Sequence, residues 1–211
     1  SDKNKTYDIK LKNRGITKFY WLNDKKSYTV NFKDYIKESE KLLLYVPDKR
    51  AYIGEYIVDR FAQKLDLPGL KSWFADIKIN GKISGIYYVS EDFDTYFLAK
   101  HNLPEANIYN TDSFIIPKEF TPEAMPKEMI LSTLKEYDKD YERDADYFLS
   151  ILEKDPKDLV QNWKYYFDPD NLKKILALYS LTGTAHYDFH NMVFSINPAN
   201  GRIYFFPWDF M

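Results

Sequence analysis

Two histidines, an aspartate and an asparagine fall within six residues near the end of the chain: His186, Asp188, His190 and Asn191. A further acid, Asp209, follows 18 residues after Asn191. The intervening segment, "MVFSI", "NPANGR" and "IYFFP", has the pattern of a β-hairpin, with two apolar runs around a turn rich in Asn, Pro and Gly. Because a hairpin brings its two ends together, we expect Asn191 and Asp209 to lie close to each other.

Three interpretations of these side chains remain open on local chemistry alone. In the first, they are ordinary loop residues whose polar atoms are satisfied by hydrogen bonds. In the second, an extended backbone places His186, Asp188 and His190 on one side, a set that suits zinc or iron in a metallohydrolase. In the third, Asp188 takes a proton from a hydroxyl, and Asn191 and Asp209 hold magnesium during phosphoryl transfer.

Composition excludes several other classes. The 211 residues carry 30 Lys and Arg against 32 Asp and Glu, and a net charge of −2 gives no electrostatic basis for binding nucleic acid or an anionic membrane. The absence of cysteine excludes disulfides and thiolate zinc sites. No apolar run approaches the roughly 20 residues of a membrane-spanning helix, so we expect no transmembrane segment. No signal peptide is visible at "SDKNKTYDIK", and export stays open.

The elements that position these residues follow from periodicity. The first third is predicted to contain strands, and residues 48–65 an amphipathic helix in which Ile53, Ile57, Phe61 and Leu65 recur every four residues, with Val58 and Ala62 beside them. Asn80-Gly81 predicts a tight hairpin. Residues 100–126 are predicted to be a loop, and residues 126–154 and 171–181 helical. Separate runs of strands and helices indicate an α+β fold. The predicted strands are Tyr7–Leu11, Lys18–Leu22, Ser27–Phe32 and Leu42–Val46.

Five blocks in order resemble the spore-coat CotH kinase family, an atypical protein-kinase-like group. They are "YDIKLKNRG", "KKSYTVNF", "IKINGKISGIYYVSEDFDTYFL", "HNMVF" and "FFPWDF", and they extend over nearly the whole chain. The resemblance implies a strand-rich N-lobe with one main helix over residues 1–105. It also implies a helical C-lobe over 106–211 that ends in the catalytic loop and the Pro-Trp-Asp hairpin, with ATP and Mg²⁺ or Mn²⁺ between the lobes. The family continues beyond Pro-Trp-Asp, so we expect a C-terminally truncated C-lobe.

The resemblance also implies roles for individual residues. Asp209 and Asn191 are the expected metal ligands. Lys26, or its neighbour Lys25, is the expected phosphate-contacting lysine. The remaining two candidates are Glu91, as an acid that pairs with this lysine or with magnesium, and Arg14, as part of a phosphate-side turn with Gly15.

One position departs from the family pattern. The catalytic aspartate of the family lies five residues before the asparagine, where this chain has His186, and the nearest acid is Asp188. We therefore predict Asp188 as the catalytic base, with His186 as the alternative. The predicted activity is transfer of the ATP γ-phosphoryl group to Ser or Thr of a spore-coat or surface protein. The alternatives are a catalytically weak scaffold for coat or surface assembly and a metallohydrolase. The expected location, inferred from the resemblance, is the spore coat or the cell surface.

Overall fold

The computed structural model describes residues 6–15, 24–36, 39–94, 96–111, 127, 130–132, 140–183 and 191–210. This part of the chain contains nine strands, five α-helices and one short 3-10 helix, and all strand pairs are antiparallel. The predicted α+β class is confirmed. The chain divides into two compact units: unit 1 comprises Ser1–Asp59 and Leu70–Tyr96, and unit 2 comprises Arg60–Gly69 and Phe97–Met211. The predicted lobe boundary after residue 105 stays a prediction.

Unit 1 is built on a five-stranded sheet of order β1-β2-β3-β5-β4. The Asn80-Gly81 turn joins β4 to β5 as predicted, and Asn80 and Gly81 both have positive φ, the backbone conformation that such a turn requires. The predicted strand at Lys18–Leu22 lies outside the described residues. The strands are β1 (Ile9–Arg14), β2 (Ser27–Ile36), β3 (Ser39–Tyr45), β4 (Ser72–Ile79) and β5 (Lys82–Glu91).

The two faces of this sheet are chemically different because strand side chains alternate. One face carries the apolar cluster of unit 1, which includes Val30, Leu44 and Tyr87 with Tyr28 and Phe32 packed against it. The opposite face carries polar contacts to the first helix: there the Asp59 carboxylate accepts hydrogen bonds from the hydroxyls of Tyr88 and Ser72. Tyr28, Val30 and Phe32, alternate residues of β2, therefore share the apolar face.

The first α-helix, α1 (Gly54–Lys64), follows a short 3-10 helix at Pro47–Arg50. The helix was predicted, and the prediction of its apolar face is confirmed for only part of that face. Ile53 and Phe61 are 58% and 47% exposed, whereas Val58 and Ala62 are buried. The two stripes lie side by side on the helix, and packing buries the one with the smaller side chains, which allow the backbone to approach more closely. Periodicity alone does not distinguish between two adjacent apolar stripes.

Unit 2 combines a four-stranded sheet of order β7-β6-β8-β9 with the other four helices. Its core lies between the sheet and α3, where Tyr109, Phe148 and Phe194 are buried and the rings of Phe148 and Phe194 stack with centroids 4.2 Å apart. The strands are β6 (Ile108–Thr111), β7 (Ile130–Ser132), β8 (Val193–Ile196) and β9 (Ile203–Phe206). The helices are α2 (Phe97–Lys100), α3 (Tyr141–Leu152), α4 (Pro156–Tyr166) and α5 (Pro169–Thr182).

Two predictions in the middle of the chain were wrong. The predicted loop at 100–126 contains β6, a central strand, and the predicted helix at 126–154 contains β7 before α3 begins at Tyr141. Each strand is only three or four residues long and gains its stability from pairing with distant segments, which leaves little local signal. In the described part of the chain, no helix has the length and apolar character needed to cross a membrane.

Candidate functional site

The structure brings Asn191 and Asp209 into direct contact at the open end of the β8–β9 hairpin. Val193 opposes Phe206 in the ladder, so Asn191 lies two residues before the pair and Asp209 three residues after it. Asn191 Nδ2 donates a hydrogen bond to Asp209 Oδ2 at 2.7 Å, and both residues are half-buried. The short hairpin therefore places the two side chains together, as the sequence predicted.

A left-handed backbone at each residue redirects both side chains. Asn191 has a φ of 59° and Asp209 a φ of 49°, a region that Asn and Asp enter more readily than other non-glycine residues. Thr111 of β6 holds the Asn191 side of the hairpin: its carbonyl accepts from Asn191 N at 2.9 Å, and its hydroxyl accepts from Met192 N at 3.0 Å. Asn191 and Met192 of the hairpin thus both face Thr111 of β6. This two-against-one arrangement is a β-bulge, which changes the direction of side chains and is common beside functional sites.

The contact defines what this pair can bind. An amide whose Nδ2 donates to a carboxylate presents its Oδ1 as the remaining acceptor atom, and Asp209 adds carboxylate oxygens. Hard oxygen ligands of this kind suit Mg²⁺ or Mn²⁺, and magnesium sites in phosphoryl-transfer proteins use few protein ligands and complete the shell with phosphate oxygens and water. The donor set therefore fits a magnesium site that depends on its substrate. No cluster of three or more His, Cys, Asp or Glu with metal-site geometry occurs among the described residues.

Helix α5 supports the Asp209 side of the site. Asn171 is buried, and its amide donates from Nδ2 to the carbonyl of Phe205 and accepts at Oδ1 from Phe205 N, both at 2.8 Å. Asp168 caps this helix by accepting from Asn171 N at 2.9 Å. The side-chain amide thus takes the place of a neighbouring strand along the edge of β9. Sequence reasoning missed this role, because an asparagine in the first turn of a helix has no distinctive pattern.

An aromatic contact holds the residue after Asp209. Phe210 is buried, and its ring centroid lies 5.2 Å from that of Tyr179 on α5. Burial raises the pKa of Tyr179 to about 12, so its ring remains neutral at physiological pH. Asp209 therefore lies between two anchored segments, β9 on one side and Phe210 on the other. Such anchoring is what a metal-binding carboxylate needs to keep its geometry.

Lys25 contacts the apolar face of the sheet in unit 1. Its Nζ donates to the carbonyl of Ile86 at 2.7 Å and lies 4.4 Å from the ring centroid of Tyr87. Gly85 lies beside this ammonium and has a φ of 83°, a backbone conformation that favours glycine. Lys26 is half-buried. Lys25 thus adjoins the face that carries Tyr28 and Phe32, and a phosphate contact by Lys26 or Lys25 stays a prediction.

Arg14 lies on the other face of the same sheet. Its Nε donates to the hydroxyl of Tyr45 at 2.9 Å, and Tyr45 opposes Tyr88 in the ladder. Since Tyr87 and Tyr88 are consecutive and point to opposite faces, Arg14 and Lys25 do not meet. A second guanidinium, that of the buried Arg50, lies 4.1 Å from the Tyr45 ring centroid.

Glu91 is at the far end of β5 from Lys25. Its Oε2 accepts from Lys71 N at 3.4 Å, and the five residue-to-residue steps from Ile86 to Glu91 span about 17 Å. That length puts an ion pair between Glu91 and Lys25 out of reach. A pairing of Glu91 with Lys26 or with magnesium stays a prediction. The predicted bases, Asp188 and His186, lie outside the described residues, as does His190.

The family model for the CotH kinase protein matches residues 12–210, nearly the whole chain. The chain belongs to the CotH kinase family. The match includes every predicted site residue and confirms the resemblance seen in the five sequence blocks. A search of curated proteins gives no match. The family is named for a kinase, and the activity of this chain, its acceptor, its nucleotide and its catalytic base are left to be proposed.

Proposed function

We propose that this CotH kinase family member transfers the γ-phosphoryl group of ATP to a Ser or Thr hydroxyl of a protein. The observation that carries the proposal is the hydrogen bond between Asn191 and Asp209, two oxygen-bearing side chains fixed beside each other at the end of a hairpin. A divalent cation bound there, Mg²⁺ or Mn²⁺, supplies charge neutralisation for the phosphates. The proposed acceptors are spore-coat or surface proteins, which rests on the family alone.

The chain's own residues have separate tasks in this proposal. Asp209 and Asn191 hold the cation through oxygen, and Lys26 or Lys25 contacts phosphate through its ammonium. Asp188 accepts the proton of the acceptor hydroxyl, with His186 as the alternative base. Phosphoryl transfer depends mainly on positioning and electrostatic stabilisation, so the anchoring of Asp209 by β9 and Phe210 supports the proposal.

The direct test is incubation of the chain with γ-labelled ATP, Mg²⁺ or Mn²⁺ and a generic acceptor protein. We expect label on Ser and Thr, and no label when EDTA removes the cation. Asp188→Ala should lower transfer about 100- to 10,000-fold without weakening ATP binding, since a general base contributes that much. Loss in His186→Ala alone would instead identify the histidine as the base. Wild-type protein that binds neither Mn²⁺ nor ATP would refute the proposal.

One observation favours a second function, that of a scaffold with little activity. The chain has His186 where the family has its catalytic aspartate. In this case the protein binds Mn²⁺ and ATP but transfers no phosphate, and the same assay separates the two functions. The metallohydrolase hypothesis, which needs His186, Asp188 and His190, predicts stoichiometric zinc or iron in elemental analysis of the purified chain.

A further inference from the structure

One buried polar atom near the Asn191–Asp209 site makes no hydrogen bond within the described part of the chain. The Oδ1 of Asn110 in β6 is buried, and no N–H or O–H group in the described part of the chain reaches it. A buried amide oxygen without a donor costs free energy comparable to a lost hydrogen bond, and native proteins keep few such atoms. Asn107, the residue immediately before β6, is different, because its amide bonds to Ser132 and to the backbone of Ile108.

Strand register places Asn110 at the same end of the sheet as the metal-site pair. Asn110 opposes Val193 on β8, and Val193 opposes Phe206 on β9, so the three share one face. Asn191 precedes Val193 by two residues and Asp209 follows Phe206 by three. The neighbouring Thr111 is itself bonded to Asn191 and Met192. Tyr109 and Phe194 point to the opposite face, into the core of unit 2.

Hydrogen-bonding chemistry distinguishes the groups that this oxygen can serve. The proposed cation site is formed by Asn191 and Asp209, which bond to each other and not to Asn110, whereas the oxygen of Asn110 is an acceptor without a donor. A nucleotide whose phosphates meet that cation extends further, and its sugar and base carry O–H and N–H donors.

We propose that Asn110 binds the nucleoside part of the nucleotide and accepts a hydrogen bond from a ribose hydroxyl or from the amino group of the base. This inference rests on the proposed function. Asn110 as a whole is partly exposed, so its amide can turn towards a ligand, and the oxygen gives up no hydrogen bond when it does so. The side chain is thus a specificity residue whose polar atom is satisfied only in the complex.

The test is Asn110→Leu in the full chain, with two readouts. Removing an unsatisfied amide should leave the Tm of the ligand-free protein unchanged or higher, whereas MgATP affinity should fall about 3- to 10-fold, the value of one neutral hydrogen bond. Mn²⁺ binding without nucleotide should not change. Asn107→Leu is the matched control, and it should lower the Tm and leave MgATP affinity unchanged. If Asn110→Leu does not fold, Asn110→Ala is tested in its place, with the same measurements of Tm and MgATP affinity.

Nucleotide analogues identify the donor. The three analogues tested are 2′-deoxy-ATP, 3′-deoxy-ATP and inosine triphosphate. The one that lacks the group bonded to Asn110 should bind the wild type more weakly than ATP does. Its affinity should not fall further in Asn110→Leu. Unchanged MgATP affinity, equal losses for all analogues and for inorganic triphosphate, or a lower ligand-free Tm would each overturn the proposal. Wild-type protein that binds no ATP would overturn both proposals, whereas wild-type binding with an unaffected Asn110→Leu variant overturns this one alone.

Discussion

The hairpin of unit 2 brings its predicted site residues into contact, whereas the sheet of unit 1 holds Arg14 and Lys25 on opposite faces. In the hairpin, Asn191 and Asp209 are 18 residues apart in sequence and in hydrogen-bond contact. In the sheet, Arg14 and Lys25 are closer in sequence but contact opposite faces, and Glu91 lies about 17 Å along β5 from the Lys25 contact. A single antiparallel turn fixes the proximity of its ends, whereas strand register and face decide which residues meet across a sheet.

The largest expected effect is at the hairpin. Asp209→Asn removes the carboxylate charge and keeps the size of the side chain, so Mn²⁺ affinity should fall more than about 100-fold, since even residues that only orient metal ligands contribute about 10- to 100-fold. Titration of free Mn²⁺ by electron paramagnetic resonance measures it. Asp76→Asn, at an exposed position in β4, is the control and should bind normally. If Asp209→Asn bound Mn²⁺ as tightly as the wild type does, the contact between Asn191 and Asp209 would be purely structural.

The next effect concerns the support of the hairpin. Asn171→Ala removes both hydrogen bonds to Phe205 and leaves a buried donor and acceptor unpaired, so the free energy of unfolding should fall by about 2–3 kcal/mol. Urea denaturation measures this change. Asn162→Ala removes an amide contact within α4 and should cost about 0.5 kcal/mol or less. Similar losses in the two variants would mean that α5 does not anchor β9.

Substitutions of Lys25 and Lys26 should have a smaller effect and should show which of the two lysines contacts phosphate. Lys26→Met should lower MgATP affinity about 10-fold, the value of one charge-assisted hydrogen bond to phosphate. Lys25→Met should change it less, because the Lys25 ammonium is already engaged with Ile86 and Tyr87. Equilibrium binding of a fluorescent ATP analogue compares the two. The opposite order would assign the phosphate contact to Lys25.

The smallest effect is expected at Arg14. Arg14→Ala loses the contacts with Tyr45, which should reduce the free energy of unfolding by about 1 kcal/mol, while MgATP affinity changes less than about 3-fold. Lys12→Ala, at an exposed position of the same strand, provides the baseline. A 10-fold loss of affinity in Arg14→Ala would restore the phosphate-side role that the family resemblance implies and would contradict the separation of the two faces.

Local patterns predicted the parts of the fold that local interactions determine. The Asn80-Gly81 hairpin and the last hairpin follow from turn chemistry within a few residues. The short strands β6 and β7 were missed because each is stable only when paired with distant segments. The predicted apolar face of α1 was too wide for a related reason, since it contained two adjacent apolar stripes and packing buried the one with Val58 and Ala62.

The sequence by itself determined that Asn191 and Asp209 would meet, because the turn between β8 and β9 closes a short loop of fixed register. It also determined the family, through blocks spread from Tyr7 to Phe210. Only the tertiary structure decided which strand flanks this pair, that Asn171 brackets β9 and that Asn110 keeps an unsatisfied oxygen beside Val193. Those contacts join residues that are distant in the chain, and their geometry depends on the register and packing of the whole unit.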